Sequence, residues 1–256
     1  MVTHADALMP ALRAFLDPSE RYGGMKSADC IDALVSWGAV AAPLVPAIVA
    51  RLSPMYLSFA LPLFGAIGPV AAADAETQVR ALLDDEHHGA EAAWALWRIT
   101  GEPGHAPALL ADHLARYGGH AARDVAPMLE QLGPAAAIAI PVLREHFHDA
   151  EHGHLYDRVA IARALWAITG AGEGLVTPLL EAVTARPLPD QGYWGSASEL
   201  LAVEALGMIG PAEAVPALET IAHGRARVTE RDAWRDELYQ QAAVRALASI
   251  KGRLPS

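Results

Sequence analysis

A short apolar pattern recurs along this chain, and each copy reads as a helix that ends at a glycine. The clearest copies are AAWALWRITG (92–101), IARALWAITG (161–170) and AVEALGMIG (202–210). Glycine suits the left-handed backbone conformation with which many helices end. A seventh copy, QAAVRALASIKG (241–252), closes the series. The glycines of the first six copies are Gly38, Gly68, Gly101, Gly133, Gly170 and Gly210. This periodicity predicts a series of similar helices along almost the whole chain.

A proline between apolar residues alternates with these glycines and marks a second set of helices. Proline is tolerated in the first turn of a helix, where its missing N–H has no intrahelical acceptor. Each proline therefore predicts the beginning of a helix A, and each glycine predicts the end of the helix B that follows. Near Val79 the equivalent position holds Arg80 instead of proline. The marker prolines are Pro10, Pro46, Pro107, Pro141, Pro178 and Pro216.

Pairing the two landmarks predicts an all-α chain. The apolar residues are mainly Ala and Leu, which favour helices and close helix packing. One hairpin cannot bury its apolar face alone, so stacked hairpins are expected to share one continuous core. We therefore predict an α-solenoid of about seven antiparallel helical hairpins, forming a single domain over residues 1–256. The predicted A/B pairs are 5–16/26–37, 42–53/55–67, 74–84/88–100, 105–116/119–132, 135–147/155–169, 173–185/195–209 and 212–223/233–250.

Charge and composition exclude several classes of function. The chain has 30 acidic and 19 basic residues and a net charge of −11. Nucleic-acid binding depends on concentrated Lys and Arg, so an acidic chain without a basic run argues against it. One cysteine, Cys30, excludes an intramolecular disulfide. No signal peptide is recognisable, and the most apolar stretch, 57–73, is interrupted by Pro and Gly. We expect a cytoplasmic protein with no cofactor and no membrane partner.

The repeated pattern resembles HEAT repeats, in particular the phycobilisome-lyase-like class of short bacterial HEAT repeats. The segment LAVEALGMIGPAEAVPALETI (201–221) is a close match, and the resemblance covers about residues 5–252. It implies an armadillo-like superhelix whose B helices line the concave face. It also implies a binding scaffold, because such repeats serve mainly to hold partners. The expected partner is a protein or peptide, and the negative charge is compatible with a basic one.

On such a scaffold the middle of the concave groove would carry aromatic and charged side chains. We align the B helices on the leucine that their repeated patterns share, and call this alignment the frame. Residues two before and one after that leucine should face the groove. These positions hold Trp94, Trp97, Glu130, Arg163 and Trp166, with Glu204 on the next helix. Tryptophan and arginine are frequent binding hot spots. Trp97 and Trp166 would then be apolar anchors, and the charged residues would orient polar groups of the partner. In the alternative interpretation, the tryptophans fill space between neighbouring B helices and belong to the core.

A second candidate surface comes from three longer A-to-B turns in the C-terminal half. On a solenoid these turns lie on one edge, where insertions often form a binding face. If they do so here, the chain would be an enzyme or a small-molecule- or metal-binding protein. The H-x-H spacings match no known ligand pattern, so we expect a solvated His-rich segment without a metal. The candidate residues on this edge are His148, His152, His154, Tyr193, Trp194 and Arg227.

Enzymes on related scaffolds fit less well. Deoxyhypusine hydroxylase has a similar repeat but carries His-Glu pairs at the start of several B helices. The aligned pairs here lack the histidines. Alkylpurine glycosylases have a tryptophan-lined groove, but the net charge contradicts a DNA-binding surface. A tetrapyrrole-transferring lyase is compatible with an aromatic groove, although no motif requires one. The aligned pairs are Ala90-Glu91, Arg123-Asp124, Val159-Ala160 and Leu200-Leu201.

Overall fold

The computed structural model describes residues 34–50, 52, 54–148, 155–184, 193–223 and 233–253. Regular secondary structure in these residues is entirely helical, which confirms the all-α prediction for this part of the chain. Within the described ranges, four 3-10 segments adjoin the α-helices. The α-helices, in chain order, are α1 (Val45–Val49), α2 (Pro54–Ile67), α3 (Ala72–Arg80), α4 (Gly89–Thr100), α5 (Ala106–Tyr117), α6 (Gly119–Leu132), α7 (Ile140–His148), α8 (Leu155–Thr169), α9 (Val176–Thr184), α10 (Tyr193–Ile209), α11 (Val215–Ala222) and α12 (Ala233–Lys251).

The helix boundaries follow the proline and glycine landmarks. Pro141 and Pro216 are the second residues of α7 and α11. Gly101 closes α4 with φ of +81°, and its N–H donates to the Trp97 carbonyl at 2.7 Å. Gly210 follows α10 with φ of +77°. A side chain at these positions would strain the backbone, so the glycines stop each helix where the sequence indicates. The first predicted hairpin lies mostly in residues 1–33, outside the described residues.

The chain divides into two units, Met1–Leu110 and Ala111–Ser256, and the boundary falls within α5. In the first unit α2 packs against α4, α1 against α3, and α3 against α4. Leu61, Leu63 and Phe64 of α2 are fully buried. The first unit thus contains adjacent B helices, α2 and α4, and adjacent A helices, α1 and α3.

The second unit has the clearer repetition. Its B helices pack in series, α6 on α8, α8 on α10, and α10 on α12. Each of α7, α9 and α11 packs against the B helix that follows it in the chain. The buried side chains lie between these two layers and include Leu129, Leu143, Leu179, Leu206 and Leu218. Stacked helical hairpins therefore describe this unit, whereas the seven-hairpin solenoid over the whole chain stays a prediction.

Glycines at the ends of B helices lie against the last turn of the next B helix. A methyl group built on Gly68 would lie 3.7 Å from the Arg98 carbonyl oxygen, in the last turn of α4. In the second unit the same construction on Gly133 lies 3.8 Å from the Ala167 carbonyl, in the last turn of α8. The same contact thus recurs in each unit, which is the structural counterpart of the sequence repeat.

Pro62 and Pro127 lie inside the B helices α2 and α6, and both helices continue past their proline. The kinks that these prolines predict stay a prediction. The segment Ala121–His148 is long and apolar enough to cross a membrane by length and composition alone. It comprises residues 121–132 of α6, the 3-10 segment Gly133–Ala139 and α7. Leu129 and Leu143 within it are fully buried in the second unit.

Candidate binding surface

Three charged side chains from three successive B helices meet in the second unit. Arg163 of α8 forms a two-pronged contact with Glu130 of α6. The Arg163 Nη2 atom donates to Glu130 Oε1 at 3.0 Å, and Nε donates to Oε2 at 3.1 Å. Glu204 of α10 lies on the other side, with Oε2 3.9 Å from Arg163 Nη1. The structure therefore brings together the three charged residues that the sequence frame placed on this surface.

The helical repeat explains why these side chains converge. Glu130 follows the buried Leu129 directly, whereas Arg163 and Glu204 each lie two residues before a buried leucine. Successive residues are rotated by about 100° around a helix, so these positions flank the buried stripe. The side chains of Glu130 and Arg163 are 19% and 23% exposed, and that of Glu204 is 41% exposed. The charges thus lie at the rim of the core rather than inside it.

Trp166 adds an aromatic side chain to this group. It lies three residues after Arg163 on α8, which places the two on one side of the helix. Trp166 is half-buried, and its carbonyl accepts the Gly170 N–H that closes the helix. We refer to Glu130, Arg163, Trp166 and Glu204 as the Arg163 surface. All four residues belong to the second unit.

The charges of the Arg163 surface do not balance. Two carboxylates share one guanidinium, which leaves one net negative charge. The Arg163 guanidinium donates hydrogen bonds to Glu130. Glu204 Oε2 lies 3.9 Å from Arg163 Nη1, which is too far for a hydrogen bond. Among the described residues, no hydrogen bond to the Glu204 carboxylate is found. Glu204 therefore keeps acceptor capacity for a donor from outside the chain.

The other two predicted tryptophans lie in the first unit and differ from each other. Trp94 is only 7% exposed, and its ring covers Gly65 of α2. Trp97 is half-buried, with the Arg98 guanidinium 5.8 Å from its ring centroid. Arg98 Nε in turn donates to the Gly65 carbonyl at 3.1 Å. Trp94 therefore fills space between two B helices and offers little surface to a ligand, whereas Trp97 keeps one accessible side.

The A-to-B edge lies largely outside the described residues. His152, His154 and Arg227 fall in the segments 149–154 and 224–232, which the structure does not describe. Tyr193 and Trp194 begin helix α10, although the sequence placed them in the preceding turn. His148 is the exposed last residue of α7, with its ring 5.7 Å from that of Phe147. Within the described ranges, no group of three or more His, Cys, Asp or Glu residues could hold a metal ion.

A turn that precedes α4 was not singled out from the sequence. Asp85 Oδ1 accepts the backbone N–H groups of His87 at 3.0 Å and His88 at 2.8 Å, and it lies 3.0 Å from His88 Nδ1. These bonds, above all those from His88, lower the pKa of the Asp85 carboxyl from its usual 3.8. Aspartate just before a helix is a known signal for this kind of turn, and it was present in the sequence.

The Asp85 turn predicts a defined pH dependence. Because the folded-state pKa is depressed, the ionised carboxylate stabilises the folded chain at neutral pH. This stabilisation should disappear as pH falls below about 4 and through the lowered pKa. An NMR titration of the side-chain carboxyl carbon should give a pKa below 3.8 for Asp85. The Asp85→Asn variant should lose this acid-dependent part of its stability, and a normal pKa for Asp85 would contradict the turn geometry.

Comparison with protein-family models, with curated proteins and with solved structures finds no match for this chain. No site residue is therefore transferred to it from a relative. The functional conclusion depends on the geometry of the chain's own side chains, and above all on the Arg163 surface.

Proposed function

We propose that this chain is a protein- or peptide-binding scaffold of the HEAT type that holds its partner on the exposed side of its B helices. The Arg163 surface is the centre of the binding site in the second unit, and Trp97 is an additional anchor in the first. The proposal includes a cytoplasmic location and no catalytic role. The observation that carries it is the convergence of Glu130, Arg163 and Glu204 from three successive B helices beside the half-buried Trp166.

The chemistry of these four residues favours binding over catalysis. They include no nucleophile paired with a base, and the guanidinium is already held by a carboxylate. Tryptophan and arginine are instead among the residues most enriched at binding hot spots. The indole supplies apolar area at a small cost in conformational entropy. The surface is therefore suited to holding a partner side chain.

The electrostatics favour a basic partner. The chain carries a net charge of −11, and the Arg163 surface carries one net negative charge of its own. Glu204, with its 41% exposed side chain and remaining acceptor capacity, offers a contact for a lysine or arginine of the partner. Long-range attraction from an acidic chain would also speed association with a basic segment.

The first experiment is native mass spectrometry of the untagged chain purified from its own host at low salt. We expect a co-purifying polypeptide. The double variant Trp97→Ala/Trp166→Ala should bind that polypeptide about 10 to 100 times more weakly, because both half-buried indoles would be lost from the contact. Tyr117→Ala, which removes an exposed aromatic ring from an A helix, is the matched control and should bind normally.

Circular dichroism and thermal melting separate binding from folding in these variants. The double variant should keep its helical signal and melt cooperatively, since both rings lie at the rim of the core. Unchanged partner binding by the double variant would contradict the proposal. Loss of cooperative melting would instead show that the two tryptophans are core residues. A small molecule in place of a polypeptide in the native complex would favour the ligand-carrying alternative.

A further inference from the structure

The last B helix, α12, has one buried face and one exposed apolar face. Its buried side chains pack against the rest of the second unit, and Ala246 lies against Gly207 of α10. Val244 and Leu238 are 54% and 45% exposed. Two residues along a helix correspond to about 200° of rotation, so Val244 lies opposite Ala246. The buried side chains are Ala242, Ala243, Ala246, Leu247 and Ile250.

The repeat shows that the exposure of Val244 is unusual. Val244 directly precedes the frame position that holds Arg163 in α8 and Glu204 in α10. The corresponding residues of the earlier B helices in this unit are Ala126, Ala162 and Val203, and all three have no exposed surface. No helix of the described residues packs on the outer face of α12. This position is therefore apolar in all four B helices of the second unit, but it is buried in the first three and exposed in α12.

The exposed face of α12 is complementary to itself. Its residues are arranged symmetrically around Gln241, with Leu238 three positions before it and Val244 three positions after it. Glu237 and Arg245 lie four positions before and after the same residue. All five residues are exposed, and the two apolar ones, Leu238 and Val244, are about half exposed. Opposite charges and apolar residues at equal distances from one centre are what a two-fold symmetric helix pair requires.

We propose that a second copy of this chain packs on α12, with the two α12 helices antiparallel and crossing at Gln241. In this arrangement Leu238 lies level with the partner's Val244, and Glu237 lies level with the partner's Arg245. Each contact occurs twice because the interface is two-fold symmetric. The exposed Ala248 on the same face is small enough to let the two helices approach closely.

The charge pattern selects a second copy over another kind of partner. Between Glu237 and Arg245, where the two helices would cross, the outer face carries one acidic and one basic residue, so this stretch has no net charge that would attract a strongly charged segment. Glu237 already accepts a hydrogen bond from Gln241 Nε2 at 3.1 Å, which orients the carboxylate along this face. One helix pair forms an interface at or below about 1,200 Å², the range of weak complexes. We therefore expect a dimer that dissociates at micromolar concentrations.

Analytical ultracentrifugation from about 1 to about 500 µM, on the full chain, tests this dimer directly. Wild type should pass from monomer to dimer within this range. Glu237→Arg and Arg245→Glu should each raise the dimer dissociation constant by about tenfold or more, because each places like charges opposite each other twice. The double variant Glu237→Arg/Arg245→Glu restores opposite charges, so its dissociation constant should return close to that of wild type.

The apolar contact and the fold are checked with two further measurements. Val244→Lys should keep the chain monomeric over the same range, and Lys251→Ala at the end of the same helix is the matched control that should dimerise normally. Circular dichroism should show an unchanged helical content in all these variants, since the substituted residues are exposed. A wild-type chain that stays monomeric throughout would overturn the proposal. A dimer that is insensitive to Glu237→Arg and Val244→Lys would overturn it as well.

Discussion

Replacing Trp94 with alanine should lower the free energy of unfolding by about 3–5 kcal/mol, the usual range for a large aromatic residue in a core. The Trp94 side chain is 7% exposed and its ring lies over the backbone of Gly65 on the neighbouring B helix. Removing the indole would leave a cavity between α2 and α4, because these helices cannot close fully around the gap. Urea denaturation followed by circular dichroism measures the change.

Trp97→Ala is the matched control for this prediction. It removes the same side chain from the same helix, but at a half-buried position beside Arg98. The loss should be roughly 1–2 kcal/mol, because less apolar area returns to water. Equal losses for Trp94→Ala and Trp97→Ala would contradict the packing described for α2 and α4.

A substitution at Gly65 tests the same contact from the other side. A methyl group there would lie 2.6 Å from Trp94 Cη2, far inside van der Waals contact. Gly65→Ala should therefore destabilise the wild-type chain by about 1–3 kcal/mol through overpacking. In the Trp94→Ala background the clash is absent, and the same change should be neutral or stabilising by up to about 1 kcal/mol because alanine favours a helix. A sign that does not reverse would show that the two residues do not compete for this space.

Replacing Arg163 with methionine should lower the free energy of unfolding by about 1–2 kcal/mol. Methionine keeps most of the aliphatic stem, so the change reports mainly on the lost charge. The Glu130 side chain, 19% exposed, would remain as a carboxylate without its paired guanidinium. The expected cost lies between that of an exposed ion pair and that of a fully buried one. Denaturation at low and high salt should show a smaller loss at high salt, because salt screens partly exposed charges.

A double-mutant cycle isolates the interaction between the two helices. Glu130→Gln and Arg163→Met, measured singly and together, should give a coupling of about 1 kcal/mol. Arg80→Met is the control, since Arg80 pairs with Glu76 at 2.8 Å on an exposed helix face and should contribute close to nothing. A coupling near zero between Glu130 and Arg163 would show that the pair adds no stability. It would also contradict the view that the ion pair holds the Arg163 surface in one conformation before the partner binds.

The helix limits are the part of the fold that could be read directly from the sequence. Proline fixes the backbone angle needed at a helix start, and glycine provides the positive φ needed at a helix end, so both signals are local. The predicted pair 105–116/119–132 is close to the observed α5 and α6, and 155–169 matches α8. The predicted helix 135–147 ends close to the end of α7 but begins five residues before it, at residue 135 instead of Ile140. The 3-10 segment Gly133–Ala139 was not predicted, because a tight turn and the first turn of a helix have similar sequences.

The candidate site could be predicted only in part. The repeat frame placed Glu130, Arg163 and Glu204 on one side of their helices, and the structure brings these three together. The frame could not show that Arg163 is bonded to Glu130 while Glu204 lies farther away. That difference depends on the exact rotation and separation of α6, α8 and α10, which no local sequence signal determines.

What this sequence determined by itself is the alternation of helix starts and ends and the apolar stripe of each helix, because these follow from backbone angles and from residues three or four apart. Only the tertiary structure decided which of two identical residues in that pattern is buried and which is exposed. Trp94 and Trp97 lie three residues apart on one helix, yet only Trp94 is buried, because Gly65 on another helix leaves space for its ring. Val203 and Val244 likewise hold equivalent positions in their helices, yet in the described part of the chain Val203 is buried and Val244 is 54% exposed. Burial depends on neighbours that are distant along the chain, and a local pattern does not contain them.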